Sequence, residues 1–320
     1  MKHQPLTVSV WLLGAISASS GRAGAWQPLT PLIRGPLCGT TVLVEGLRPS
    51  ADFPILRTAD GLLMPARVAG HPDTLWLLFD SGAGHTVLDR DVARRLGLRP
   101  TSKGTISGVG TGVTAVDIVA NVTLSVPSVR IEHVDLRLAS IPSAGPNAGP
   151  RTDGIIGYDL LCGSVVTVDY HARRLTVTTP TSFRVPPQGE VLPLTIRGGW
   201  SFVRGTIKVP GQSPMEDDFL IDTGSLDFVN HPIIKQSTGP LRQTRTGAGG
   251  FGESQPGVIG ENEWFRLGRT TIARTQTACC AATPEVSRQI GAGILEHFRL
   301  TFDYPHRRLV LENSAGTEGS

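Results

Sequence analysis

Aromatic residues are scarce in this chain, 6% of 320 positions, and charged residues reach only 18%. The basic ones are scattered and the net charge is +3, so no electrostatic footprint for nucleic acid is present. Cysteine is limited to Cys38, Cys162, Cys279 and Cys280, no Cys-x-x-Cys occurs, and the eight histidines lack ligand spacing. A zinc site is therefore not expected, nor is any other metal or cofactor. Four thiols are compatible with an oxidising compartment, and the adjacent Cys279 and Cys280 can contribute to a disulfide with Cys38 or Cys162. Their spacing does not choose among the three pairings.

Long apolar runs are also missing. Residues 8–16 form a run of nine, far below the roughly 20 needed to cross a bilayer. Lys2 and His3 precede it and Ala23-Gly24-Ala25 follows, so residues 1–25 read as a cleaved export signal. The mature protein is expected in the periplasm or outside the cell, without a membrane anchor.

What the chain has in quantity is glycine, 38 residues, and proline, 24. Short strands with many turns give that balance. Residues 26–60 read as a Pro-rich, irregular N-terminal extension with one strand at 40–44. A first lobe, 61–179, opens with strands at 63–68 and 76–79 that run into Asp80-Ser81-Gly82-Ala83. The spacing of Leu88, Val92 and Leu96 predicts a helix over 88–98, capped by Asp89 and stopped by Gly97. A glycine-dense hairpin tip follows at 104–112, then paired strands at 116–126 and 129–138, a loop at 141–153 and strands at 165–170 and 173–177. Residues 180–190 read as a linker.

The second lobe, 191–312, begins the pattern again. Strands at 201–209 and 218–221 lead into Asp222-Thr223-Gly224-Ser225, with Glu216-Asp217-Asp218 read as a solvated turn. A short helix is expected next, capped by Asn230, with Pro232 in its first turn and Gly239 beyond its end. A second glycine-dense tip covers 247–252, and residues 313–320 read as a disordered tail.

The repeat decides the reading. Gly157, Thr167, Asp169, Tyr170, Arg173, Arg174 and Leu175 recur as Gly291, Thr301, Asp303, Tyr304, Arg307, Arg308 and Leu309, every pair 134 residues apart. The acids Asp80 and Asp222 are 142 apart, so the second copy is shorter by 8 between acid and glycine. Self-similarity in register over several elements is a sign of duplication. Two half-sites related this way can bring Asp80 and Asp222 together around a pseudo-twofold axis.

Two carboxylates about 3 Å apart cannot both ionise, so such a pair holds one proton and titrates as a unit. A water between them meets a base on one side and an acid on the other. The ionised Asp takes a proton as the water attacks a peptide carbonyl, and the protonated Asp hydrogen-bonds the carbonyl oxygen. No covalent intermediate is required. Gly82 and Gly224 allow the tight turns, and Ser81 and Thr223 offer hydroxyls to bridge the two loops. The tips Gly108-Val109-Gly110-Thr111-Gly112 and Gly247-Ala248-Gly249-Gly250-Phe251 are candidates for flaps that bind and cover a peptide. His85, Asp169 and Asp303 read as structural or surface groups.

Asp80-Ser81-Gly82-Ala83 and Asp222-Thr223-Gly224-Ser225, each followed by an Ile-Gly at 156–157 or 290–291, resemble the retropepsin-like aspartic proteases over roughly residues 60–180 and 195–312. The resemblance implies an all-β architecture of two duplicated, closed β-barrel lobes, each with a short helix. It also implies catalytic Asp80 and Asp222 and glycine-rich flaps over the substrate. Most relatives have one lobe and dimerise, whereas this chain resembles a fused version that works as a monomer. It departs from the family where an Arg often follows the downstream glycine: here Tyr158 and Ala292 stand there. Gln289 also replaces an apolar residue before Ile290.

The expected function is an exported aspartic endopeptidase acting on polypeptides. The alternatives are a catalytically inactive peptide- or envelope-binding protein that keeps the cleft, and a hydrolase of another amide-containing envelope polymer.

Overall fold

The two halves are joined through a shared sheet. Its six strands run in the order Glu190–Pro193, Arg308–Asn313, Phe298–Asp303, Val165–Asp169, Arg174–Thr178 and Ser50–Pro54. The central pair is antiparallel with Thr167 opposite Thr301, residues of the repeat that lie beside their own copies. Their hydroxyls are 2.8 Å apart. The pseudo-twofold axis therefore passes between these threonines. Val166, Val168, Leu300 and Phe302 bury the strands' apolar faces in the main core. This is a computed structural model, and it describes residues 38–141, 150–247, 251–280 and 286–313. The expected signal at 1–25, part of the 26–60 extension, most of the 141–153 loop, Ala248, Gly249, Gly250 and most of the tail lie outside the described residues.

Each lobe wraps its own sheet around the strand that carries its acid. In lobe 1, Leu75–Phe79 lies between Gly61–Val68, antiparallel, and Gly154–Ile156, parallel. Thr114–Val126 pairs with both Gly61–Val68 and Val129–Ala139, and Val129–Ala139 pairs with Val87–Asp89. Val87–Asp89 then meets Gly154–Ile156, which closes the barrel. In lobe 2, Met215–Ile221 lies between Trp200–Lys208 and Gln289–Ile290 in the same way. Here each long strand of lobe 1 is replaced by two short ones: Gln255–Glu261 with Trp264–Leu267, and Thr270–Ala273 with Gln276–Cys279. The break is held by Asn262, whose amide donates to Thr275 Oγ1 at 2.7 Å and Thr277 Oγ1 at 3.0 Å.

Four local readings change. In the described part of the 26–60 stretch the expected strand is present as Thr41–Val44, paired with Val129–Ala139, but the rest is not irregular, because Ser50–Pro54 joins the shared sheet and Leu56–Thr58 pairs with Gly61–Val68. Ala51 and Phe53 are buried there, and Pro54 is tolerated because the strand is an edge. The helix over 88–98 shrinks to Arg90–Arg95, since cross-strand pairing draws Val87–Asp89 into a strand. Asp89 still caps it, accepting from Asp91 N at 3.0 Å and Val92 N at 3.3 Å, and Gly97 follows at φ 65°.

In lobe 2 the short helix is a 3-10 turn, Pro232–Gln236, capped by His231 rather than Asn230. His231 Nδ1 accepts from Ile233 N at 3.1 Å, while Asn230 is held in a strand with Val229. Glu216-Asp217-Asp218 is strand, not turn. Arg288 donates to Asp217 at 2.6 Å and Arg197 to Asp218 at 2.7 Å, so the charges are matched across the sheet. Cys38 is bonded to Cys162, and the neighbours Cys279 and Cys280 to each other. Among the described residues no helix is long and apolar enough to cross a membrane.

Candidate active site

Each acid is carried by a buried strand and held by the loop after it. Asp80 N–H donates to Ile156 O at 2.9 Å, and Asp222 N–H to Ile290 O at 3.0 Å. Asp80 Oδ1 accepts from Gly82 N at 2.8 Å; Asp222 Oδ1 accepts from Gly224 N at 2.9 Å and Ser225 N at 3.1 Å. The downstream glycines of the repeat close the loops from beneath. A Cβ at Gly157 would overlap Asp80 O and Ala83 O, and one at Gly291 would lie 2.5 Å from Asp227 O. Only glycine lets the two segments approach this closely.

The loops then cross. Ser81 Oγ donates to Ile221 O at 2.7 Å and accepts from Thr223 N at 3.1 Å. Thr223 Oγ1 donates to Phe79 O at 2.9 Å and accepts from Ser81 N at 2.9 Å. Both hydroxyl residues are buried, so each lobe's loop is fixed by the other's side chain. This brings the two carboxyl groups near enough for each to act on the other's protonation. Each also rests on the opposite glycine: a Cβ on Gly82 would sit 2.8 Å from Asp222 Cγ, and one on Gly224 2.5 Å from Asp80 Cγ.

Burial pushes both carboxyl pKa values up. For Asp222 the neighbouring Asp80 charge adds to burial and raises it well above the ordinary range, while loop N–H groups oppose the shift at both acids. The pair therefore retains a proton where isolated carboxylates would have lost theirs. Tyr170 and Tyr304 are buried, and burial is the first cause that raises their phenol pKa values. At Tyr170 the charge of Glu296, and after it that of Asp222, adds to burial, and at Tyr304 Tyr158, and after it Asp80, does the same. The 134-residue repeat had marked both tyrosines, but nothing in the sequence placed them near the acids.

The glycine-dense tips meet over the cleft. Thr111 and Glu253 exchange backbone hydrogen bonds of 3.0 and 3.1 Å, and Gly110 N donates to Phe251 O at 3.1 Å. A Cβ at Gly108 would fall 2.6 Å from Phe251 N, which explains glycine at this crossing. The tip side chains exchange lobes. Phe251 packs on Val87, Ile106, Val116 and Ala139 of lobe 1, and Val109 packs on Phe202, Leu220 and Val286 of lobe 2. Gly112 and Gly247 take positive φ at the tip edges. His85 is exposed, while Asp169 and Asp303 accept from backbone N–H groups in the turns after their strands.

Two comparisons bear on this geometry. Residues 64–160 match the sequence model of a family described as aspartyl protease. The match spans Asp80, Gly108 and Gly157 but stops before the second lobe. Among solved structures the fold is similar to an aspartic proteinase from Irpex lacteus, with 14% identity and a TM-score of 0.54. That likeness covers 84% of this chain and 99% of the other. No curated protein matches the chain in sequence. The architecture is the all-β, two-lobe fold of the aspartic proteinases. Residues 64–160 therefore resemble an aspartyl protease family in sequence, and the fold of the chain is similar to that of an aspartic proteinase.

Proposed function

We propose that this protein is an endopeptidase in which Asp80 and Asp222 together activate water against a peptide carbonyl. The observation that carries the reading is the crossed cradle of Ser81 and Thr223, which sets each carboxyl against the opposite loop's glycine and so beside the other acid. One carboxylate takes a proton from the water as its oxygen bonds to the carbonyl carbon. The other carboxyl hydrogen-bonds the carbonyl oxygen as charge develops there. The tetrahedral species then releases the amine, which leaves with a proton from the pair. Both half-sites lie in one chain, so the site needs no second copy. The paired flaps supply backbone groups for an extended substrate once they part. Residues 1–25 direct export in this reading.

The test is incubation with a mixed peptide library between about pH 3 and 7, with products read by mass spectrometry. A parallel sample contains a peptide whose scissile carbonyl is replaced by a secondary alcohol. Internal cleavage that the alcohol peptide suppresses is expected. Tight binding of the alcohol peptide with no cleavage across the range would favour the inactive binding protein instead.

A further inference from the structure

The half-clefts beneath the two flaps differ in chemistry at matching places. In lobe 1, Val87 stands opposite Ile155 across an antiparallel pair. Side chains alternate along a strand. Leu88 and Ile156 enter the main core, so Val87 and Ile155 face the flap, beside Ile106, Val116 and Phe251. In lobe 2 the corresponding pair is Asn230 opposite Gln289. Val229 and Ile290 enter the core there, which sends both carboxamides to the flap side. Gln289 is level with Leu220, as Ile155 is with Leu78, and Leu220 belongs to the apolar cluster under Val109.

Gln289 is only 2% exposed, yet its Oε1 has no hydrogen-bond partner. Asn230 is half-buried and its Nδ2 donates to Asp227 Oδ2 at 3.0 Å, but its Oδ1, shut off from water, also has no partner. Buried carboxamides without partners are costly and are uncommon in folded proteins. Two of them side by side, in the half-cleft that carries Asp222, point to a hydrogen-bonding partner that arrives with a ligand.

Building on the peptidase reading, we propose that Asn230 and Gln289 form a specificity pocket on the Asp222 side of the cleft. It takes a neutral substrate side chain that carries a hydrogen-bond donor, a hydroxyl or carboxamide, whereas the Val87–Ile155 half takes an apolar one. A carboxamide offers both donor and acceptor and so satisfies either orientation of the two protein amides. The surrounding Phe202, Leu220, Val286 and Val109 are apolar, and the nearby Asp227 carboxylate is already engaged by Asn230 Nδ2 at 3.0 Å, so a neutral group suits the pocket better than an ammonium or guanidinium that must give up its water there. A site built to hydrogen-bond rejects an analogue lacking the group more strongly than an apolar pocket rejects a change of size.

Cleavage-site profiling of the full chain with a peptide library tests this, using Gln289→Met, which keeps the side chain's volume, and Asn230→Val. Wild-type protein should prefer Ser, Thr, Asn or Gln at one position flanking the scissile bond. Either variant should lower that preference at least about tenfold relative to Leu or Val and leave the other positions unmoved. Cleavage with an unchanged profile in both folded variants, or a wild-type preference for Lys, Arg or apolar residues at every position, overturns the pocket alone. Absence of cleavage by the wild type overturns the peptidase reading and the pocket with it.

Discussion

Asp159 and Gly293 occupy equivalent places in the two lobes, 134 residues apart, yet they do different things. Asp159 accepts from Thr86 N at 2.8 Å and Thr86 Oγ1 at 2.6 Å, tying the loop after Asp80 to the short helix Tyr158–Leu161. Gly293 instead lies under the ring of Phe228, where a Cβ would come within 2.6 Å of a ring carbon. One lobe holds its loop with a carboxylate and the other with an aromatic ring. Lobe 1 likewise has two long continuous strands, and lobe 2 has four short ones stapled by Asn262. Near the axis such differences vanish: the acids, hydroxyls and glycines match because each completes the other's bonding. A change to Ser81 is felt by Ile221 and Thr223, whereas a change to Asp159 is felt within its own lobe. At the crossed loops the two copies present the same chemistry, whereas the bracing around each loop differs between the lobes.

The largest expected effect tests the equivalence at the axis. Asp80→Asn and Asp222→Asn should each lower kcat by about three orders of magnitude or more while the melting transition persists. If one folded variant kept a large share of activity, the two acids would not act as a pair. Next come the crossed hydroxyls. Ser81→Ala and Thr223→Ala each remove two hydrogen bonds across the axis and strand buried backbone groups, so each should cost about 2–3 kcal/mol in urea unfolding. Thr223→Ser should retain most of that stability. Unequal losses for the two alanine variants would break the symmetry argued here.

The raised carboxyl pKa values give a pH test. The folded state holds its proton to higher pH than the unfolded chain, whose Asp titrates near 3.8. The pair's contribution is therefore fully present below that value and is lost as pH rises through the raised one. Asp222→Asn should flatten this decline in a series of thermal melts from acid to neutral pH. An identical slope in wild type and variant would mean that the pair does not carry the shift. The rate itself should be bell-shaped, since chemistry needs one proton on the pair.

The smallest effect concerns the flaps. Phe251→Ala removes a half-buried ring from lobe 1 and should loosen the tips by about 1 kcal/mol, read as several-fold faster amide exchange at Thr111 and Glu253. Val109→Ala should do less, because it buries a smaller side chain. The reverse order would show that the exchange of tip side chains between lobes is not what holds the flaps together.

Much of this was legible in the residues. The 134-residue repeat pointed to two lobes, and the strand–acid–hydroxyl–glycine runs picked out Asp80 and Asp222. Errors fell where tertiary pairing outweighed local pattern. Leu88 fits a helical period, but its neighbours Val87 and Asp89 pair with Arg137 and Ala139. Asn230 is a good cap, but strand pairing with Gln289 and Ala278 holds it, and His231 caps instead. The acids at 216–218 look solvated until Arg288 and Arg197 are brought across the sheet.

The sequence by itself determined that two acid-bearing bends exist, that they arose as copies, and that each stands at the end of an apolar strand. These are local properties, written in residue type and spacing. Tertiary structure decided everything that depends on distance between copies: Thr167 against Thr301, Ser81 reaching Ile221, and Asp80 and Asp222 each set against the other lobe's glycine. It also decided which face each residue shows. Gln289 looked like a polar exception before Ile290, and only strand alternation and burial set it beside Asn230 under a flap. Burial is a property of packed neighbours, and it is burial that first raises the pKa values of Asp80 and Asp222 above those of ordinary carboxylates.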